Sequence, residues 1–313
     1  MPEILNRYNR WLTVRQYSPA TVKIYLYRIE KFIKVYPEEA LPRITKQDLQ
    51  QYLLDLSRSI SFETMGGLFS TLNNFFKFLR IDGYEMPFLQ ENPIKDFAPI
   101  KRAKNTPRII PSDELSRIMR APKLKTVRGM RDYMIMMCLL HGLRAAEICN
   151  LDIKDIYSDG WGSARRLVIH VRGKGRRERN IIAERSGDLE WAWEKWREKR
   201  GIIECHALFP SYRGVRAIGR MTTNGLYRLL KRYGDKIGIK GVHPHAWRHT
   251  AAVQLIEEGI DIKEIQVRLG HESVATTEKY TAGASILQEG AANSQWIHQL
   301  KKADLRHRRQ RRS

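Results

Sequence analysis

The stretch "YMIMMCLLHGLRAAEICNLDIKDI", residues 133–156, decides how the second half of this 313-residue chain is read. Its apolar run to Leu140 predicts a buried helix, Gly142 a break, and the residues after it the start of another helix. Arg144 follows the break directly and stands three residues before Glu147, near enough on a helix for the acid to brace the guanidinium. An ordinary surface ion pair, worth only a few tenths of a kcal/mol, has the same spacing, so the surroundings must decide.

Downstream, "RRLVIHVRGKGRRERNIIA", residues 165–183, places Leu167, Ile169 and Val171 in alternation with Val168 and His170, then turns at glycines and resumes toward Ile181 and Ile182. That pattern predicts a hairpin. Its tip presents Arg172, Lys174, Arg176, Arg177 and Arg179, with Lys174 between two glycines that let backbone approach a surface closely. The tip is either a solvated turn or an element that enters a DNA groove. In "HPHAWRHTAAVQLIEEG", residues 243–259, His245 and Arg248 are three apart and point to one spot on a helix, with His249 on an adjacent face. No carboxylate stands in HExxH-like spacing, so a metal site is not expected, and a single histidine here is equally at home in a core. "IKEIQVRLGHESVATTEKYT", residues 262–281, predicts a short helix stopped by Gly270, with His271 just beyond and Tyr280 in a following turn. By itself such a tyrosine packs or hydrogen-bonds at a surface.

Upstream the patterns are helical. In "SPATVKIYLYRIEKFIKVY", residues 18–36, Ser18 caps, Pro19 takes the first helical position, and Val22, Tyr25, Ile29 and Phe32 share a face. Thr45 and Asp48 stand in capping-box order, and residues 61–83 run amphipathically to Gly83 as a stop. The segment 91–115 holds four prolines and clustered positive charge, which predicts an extended connection with a boundary near residue 105. Ser112 is read as the cap of the next helix.

Composition fixes the class of partner. With 42% apolar residues the chain can bury real cores, and its length favours two domains. No apolar run approaches the roughly 18 residues needed to cross a bilayer, and the N-terminus lacks a signal-peptide hydrophobic region. A soluble cytoplasmic, nucleoid-associated protein with no membrane partner is therefore expected. Cys138, Cys149 and Cys205 sit in no CxxC or metal-ligand spacing, so reduced thiols and no disulfide framework are predicted. The net charge is +22, from 16 basic against 11 acidic residues over 1–105, 33 against 22 over 106–300, and 7 against 1 over 301–313. Solubility alone is a weak reason for so large an excess, whereas a polyanion would neutralise it through counterion release. Nucleic acid is the leading partner.

Taken in order, Arg144, Lys174, His245, Arg248, His271 and Tyr280 resemble the motif residues of the tyrosine recombinase and integrase family. "HGLRAAEICNL" resembles its first arginine box, "VRGKGRRERN" the lysine hairpin, "HPHAWRHT" the HxxR box, and "LGHESVATTEKYT" the closing histidine and nucleophile box. The usual leucine of HxLRH is Trp247 here, a change of packing beside the site. The resemblance implies a mainly α (α+β) fold: a helical core-binding domain with linker over 1–105, a mixed helical catalytic domain with a small antiparallel sheet over 106–300, and a basic tail over 301–313. A two-domain member without an extra arm-binding domain is implied.

The chemistry of phosphodiester cleavage explains why these residue types occur together. Attack on phosphorus builds charge on the non-bridging oxygens, and two guanidiniums hold those oxygens in a planar fork that ammonium groups cannot match. Arg144 and Arg248 are the expected clamp, each worth on the order of 3 to 4 kcal/mol in the transition state, with little expected effect on stability. Tyr280 is the expected nucleophile, since a phosphotyrosyl ester exchanges reversibly with a deoxyribose hydroxyl without ATP or a cofactor. His245 is the expected proton acceptor. The resemblance gives Lys174 the role of protonating the departing 5′ oxygen and His271 that of holding the phosphate and positioning Tyr280. It also implies double-stranded DNA attachment sites as partner, and a homotetramer on DNA that exchanges C-terminal segments through Ile286, Leu287, Trp296, Ile297 and Leu300, although these could equally pack on their own subunit. Integration or excision of a mobile element is the first reading of the task. Resolution of replicon dimers, type IB topoisomerase-like relaxation and a catalytically silent DNA-binding protein are the rivals. Lys23, Asn73, Asn74 and Lys77 are candidate base readers from helical faces.

Overall fold

The computed structural model describes residues 2–81, 92–94, 108–160, 166–173, 178–182, 188–201, 204–214 and 216–270. The chain divides into two compact units, Met1–Asn105 and Thr106–Ser313.

The first unit is helical: α1 (Glu3–Val14), α2 (Pro19–Val35), a 3-10 turn (Glu38–Arg43), α3 (Lys46–Ser57) and α4 (Phe62–Ile81). Ser18 accepts the Thr21 backbone N–H at 3.2 Å, with Pro19 at the first helical position, so α2 begins where its cap dictates. The capping box of α3 is present in both directions, Thr45 N–H to Asp48 at 2.8 Å and Asp48 N–H to the Thr45 hydroxyl at 3.2 Å. Ile29 and Phe32 of α2 are fully buried against Leu72, Phe75 and Phe76 of α4, while Val22 and Tyr25 pack at the margin. The α4 helix reaches Ile81, and Gly83, read as its stop, lies outside the described residues.

The second unit opens with α5 (Ser112–Arg120). Ser112 is the first helical residue, not the cap: Pro111 holds the cap position in extended backbone and no side chain closes that end. Next come α6 (Val127–Leu140) and α7 (Ala145–Asn150), then β1 (Ile156–Asp159), β2 (Arg166–Arg172) and β3 (Glu178–Ile182), paired antiparallel in that order. The remainder is α8 (Asp188–Arg200), the hairpin β4 (Pro210–Arg213) with β5 (Arg216–Arg220), α9 (Thr223–Lys236), α10 (Pro244–Glu257) and α11 (Ile262–Leu269). The predicted buried helix is α6, whose residues Met134 to Leu139 are all buried, packed between α8 and α10. Burial pushes the thiol of Cys138 up to about 12 and that of Cys149 up to about 11, which keeps both protonated and inert.

Gly142 performs the turn between α6 and α7. Its φ is +79°, and a Cβ there would collide with Cδ2 of the fully buried Leu269. Only glycine gives both the left-handed backbone and the room. Gly142→Ala is expected to cost about 1 to 3 kcal/mol, seen as a lower thermal unfolding midpoint. An unchanged midpoint would show that the turn yields easily.

Candidate active site

The geometry starts at the break after α6. Arg144 occupies the N-cap of α7, where its backbone N–H donates to Glu147 Oε2 at 2.7 Å and its Nη1 donates to Glu147 Oε1 at 2.8 Å. Glu147 is no surface partner, for its side chain is only 3% exposed. The same carboxylate receives Arg179 of β3 in a fork, Nη1 to Oε1 at 2.8 Å and Nη2 to Oε2 at 2.9 Å. One acid thus fixes two guanidiniums.

A third arginine arrives from α10. Arg248 is 5% exposed and donates from Nη1 to the Gly142 carbonyl and from Nη2 to the Leu269 carbonyl. Arg144 Nη2 donates to the Gly270 carbonyl at 2.5 Å, and Arg179 Nε to the Arg268 carbonyl at 3.1 Å. Three guanidiniums therefore converge on three consecutive carbonyls at the C-terminus of α11, the end of a helix where unsatisfied carbonyls attract cations. Gly270 closes that helix with φ +64°, and a Cβ there would meet Arg179 Nη1 at 2.9 Å. Arg144 and Arg248, 104 positions apart in sequence, point at the adjacent carbonyls of Gly270 and Leu269.

The histidines lie at the start of α10. His243 caps it, accepting the Ala246 N–H at 3.2 Å. His245 is exposed, and its ring stacks on that of His249, one helical turn further along, at 6.4 Å. Trp247 is fully buried in the core beneath them. Among the described residues no group of three His, Cys, Asp or Glu side chains is arranged to hold a metal ion.

Among the groups whose protonation the fold shifts, Glu147 and His249 contribute to the response to acid. Burial alone would raise the Glu147 carboxyl, but the bonds from Arg179 and Arg144 outweigh it and hold the group below its usual 4.5. Burial, then His245, His243 and Arg248, push His249 from its usual 6.5 down to about 4. Both shifts are depressions, so in each case the unfolded chain takes up the proton first and stability falls with pH. The His249 contribution is lost from 6.5 down to about 4 and the Glu147 contribution from 4.5 downward. Thermal midpoints are expected to decline on acidification through this window, and His249→Asn to flatten its upper part; a pH-independent midpoint would contradict the assignment.

Two of the candidate DNA contacts, Arg179 and Asn74, are engaged within the protein. Arg179 does not sit at the tip of the hairpin with its charge in solvent: it lies on β3 opposite Val171, on the same face as buried Ile181, and its side chain is 14% exposed. Asn74 is not a free reader, because its amide accepts from the Tyr8 hydroxyl at 2.6 Å and donates to the Tyr17 hydroxyl at 2.9 Å within the first unit. Asn73 is exposed and accepts from Asn92, and Lys23 and Lys77 are exposed. Arg172 is half-exposed and tied to buried Asp155 at 3.0 Å and to Glu178 at 3.7 Å. Lys174, Arg176, Arg177, His271 and Tyr280 lie outside the described residues, as do the C-terminal segment and the basic tail. The inward turn of Arg179 was legible in strand alternation with Ile181; the carbonyls of α11 carried no sequence signal.

With this geometry in hand, comparison with known proteins is decisive. The model of the phage integrase family matches residues 108–285, and that of the phage integrase N-terminal SAM-like domain matches residues 4–82. The chain belongs to the phage integrase family. As such it is a tyrosine-type site-specific recombinase. Tyrosine recombinase XerC of Myxococcus xanthus is 31% identical over 277 residues, covering 84% of this chain and 87% of that protein. Tyrosine recombinase XerC of Oceanobacillus iheyensis is 31% identical over 278 residues, covering 84% and 86%. The crystal structure of a lambda integrase dimer bound to a COC' core site matches with a TM-score of 0.69 at 20% identity, covering 88% of this chain and 75% of that one. That likeness establishes the shared integrase fold, a helical first part and a mixed catalytic part with small antiparallel sheets. No described helix is long and apolar enough to cross a membrane.

Proposed function

We propose that this integrase-family recombinase cuts and rejoins DNA strands through a 3′-phosphotyrosyl intermediate on Tyr280. The observation that carries the reading is the convergence of the Arg144 and Arg248 guanidiniums on one place, beside the point where the chain runs on toward Tyr280. The family match extends to residue 285 and so spans that tyrosine.

In this reading a phosphodiester takes the place that neutral carbonyls take in the free chain. Its charged oxygens are the stronger acceptors for guanidinium donors. Tyr280 Oη attacks phosphorus, the P–Oη bond forms, and the P–O5′ bond breaks. His245, exposed at the first turn of α10, accepts the phenol proton; Lys174 protonates the departing 5′ oxygen; His271 bonds the phosphate. Charge that builds on the non-bridging oxygens falls on Arg144 and Arg248. Rejoining reverses the steps with the 5′ hydroxyl of another strand, so the bond energy is kept in the ester.

Exchange between strands of two sites requires the active subunits to assemble on DNA, and we infer a homotetramer linked by its C-terminal segments. Arg172, Arg176 and Arg177 of the hairpin, with Lys23, Asn73 and Lys77 of the first unit, supply contacts to the duplex, and cytoplasmic, nucleoid-associated action follows from that substrate. The task we assign is integration or excision of a mobile element.

The test is incubation with a nicked target duplex followed by denaturing electrophoresis. A covalent protein–DNA band is expected, and a second target site should yield recombinant product. Absence of the band would overturn the mechanism; a band with relaxation but no joining of two sites would leave a topoisomerase.

A further inference from the structure

We propose that Arg179 is a positioning residue for strand cleavage, which holds Glu147 and through it the Arg144 guanidinium, and that it makes no contact with DNA. The proposal rests on the reading of Arg144 as a phosphate clamp.

The geometry is specific. Glu147, 3% exposed, has Arg144 on one oxygen through the side chain and on the other through the backbone N–H, and Arg179 spans both oxygens. Arg144 is the more exposed of the two arginines, at 35% against 14% for Arg179. The outer guanidinium is therefore the one a substrate can reach, while the inner one serves the carboxylate. A buried carboxylate left with one partially exposed partner is costly, and it relieves that cost by taking a proton or drawing water, either of which releases Arg144 from its fixed direction. Arg179 also ties β3 to the Arg268 carbonyl, next to the carbonyls that Arg248 and Arg144 engage. One side chain thus links the strand of the lysine hairpin, the carboxylate that orients the clamp, and the end of α11.

Three measurements on the full chain separate this from a DNA contact. Single-turnover formation of the covalent complex on a nicked duplex at saturating protein is expected to slow about 10- to 100-fold in Arg179→Ala, the scale typical of residues that orient a functional group. Duplex affinity and its salt dependence should stay unchanged, whereas loss of a phosphate contact would lower the salt slope by about 1. In an Arg144→Ala background, adding Arg179→Ala should cost little more, because the group it positions is gone. Arg179→Lys keeps the charge but can span only one carboxylate oxygen, and should recover part of the rate; it also carries the test if Arg179→Ala does not fold. Weaker binding with a smaller salt slope and a normal rate at saturation would overturn the proposal, as would full additivity of the two alanine substitutions. If Arg144→Ala alone cleaves normally, the clamp reading itself falls; if it fails while Arg179→Ala cleaves normally, only the present proposal falls.

Discussion

Tyr280→Phe is expected to abolish covalent complex formation, a loss on the order of 10⁴-fold or more that brings cleavage to background, while duplex binding persists. The substitution removes one oxygen atom, the only atom of that side chain able to form an ester with phosphorus. Affinity for DNA resides instead in cationic contacts to phosphates, which the variant keeps, so its salt dependence should match that of the wild type. Denaturing electrophoresis reports the first quantity and native gel shift at several salt concentrations the second. A covalent band that survives in the variant would transfer the nucleophile to another residue.

Arg248→Ala and Arg144→Ala are expected to share a loss of cleavage of hundreds-fold, equivalent to about 3 to 4 kcal/mol, and to differ in stability. From sequence alone neither residue is expected to matter to the fold. The structure revises this for Arg248. It is 5% exposed and donates to the Gly142 and Leu269 carbonyls, so it joins the turn after α6 to the end of α11. Its removal leaves buried acceptors without those donors, at about 1 to 3 kcal/mol, or a drop of several degrees in the thermal midpoint. Arg144→Ala leaves Glu147 still forked by Arg179, so the carboxylate stays paired and the midpoint should move little. Thermal unfolding beside single-turnover cleavage separates the two cases. Equal midpoints would mean that the carbonyls bonded by Arg248 find other donors, and full activity in either variant would remove that residue from the clamp.

What a sequence reveals of such a fold depends on where the information lies. Caps and short-range periodicity are local, so Ser18 with Pro19, the Thr45–Asp48 box, the break at Gly142 and the β2–β3 alternation could be read directly and recur in the structure. Ser112 misled because a serine before an acidic turn resembles a cap, yet Pro111 already supplied extended backbone one residue earlier. Arg179 and Asn74 misled for a different reason. For Arg179 the alternation with Ile181 signals the inward face, but its partner Glu147, like Tyr8 and Tyr17 for Asn74, is distant in sequence and no local pattern names it. Glu147 was visible as a brace for Arg144, but its burial, which turns a weak pair into a fixed one, depends on tertiary packing. The convergence of three arginines on α11 involves backbone carbonyls, which every residue has and which no residue pattern can flag.

The most direct measurement is mass spectrometry of the peptide that retains nucleotide after the trapped covalent complex is digested with protease and nuclease. A single modified peptide, with a nucleotide joined to Tyr280 through its 3′ phosphate, is the predicted result. Attachment to any other side chain, or through a 5′ phosphate, would contradict the mechanism.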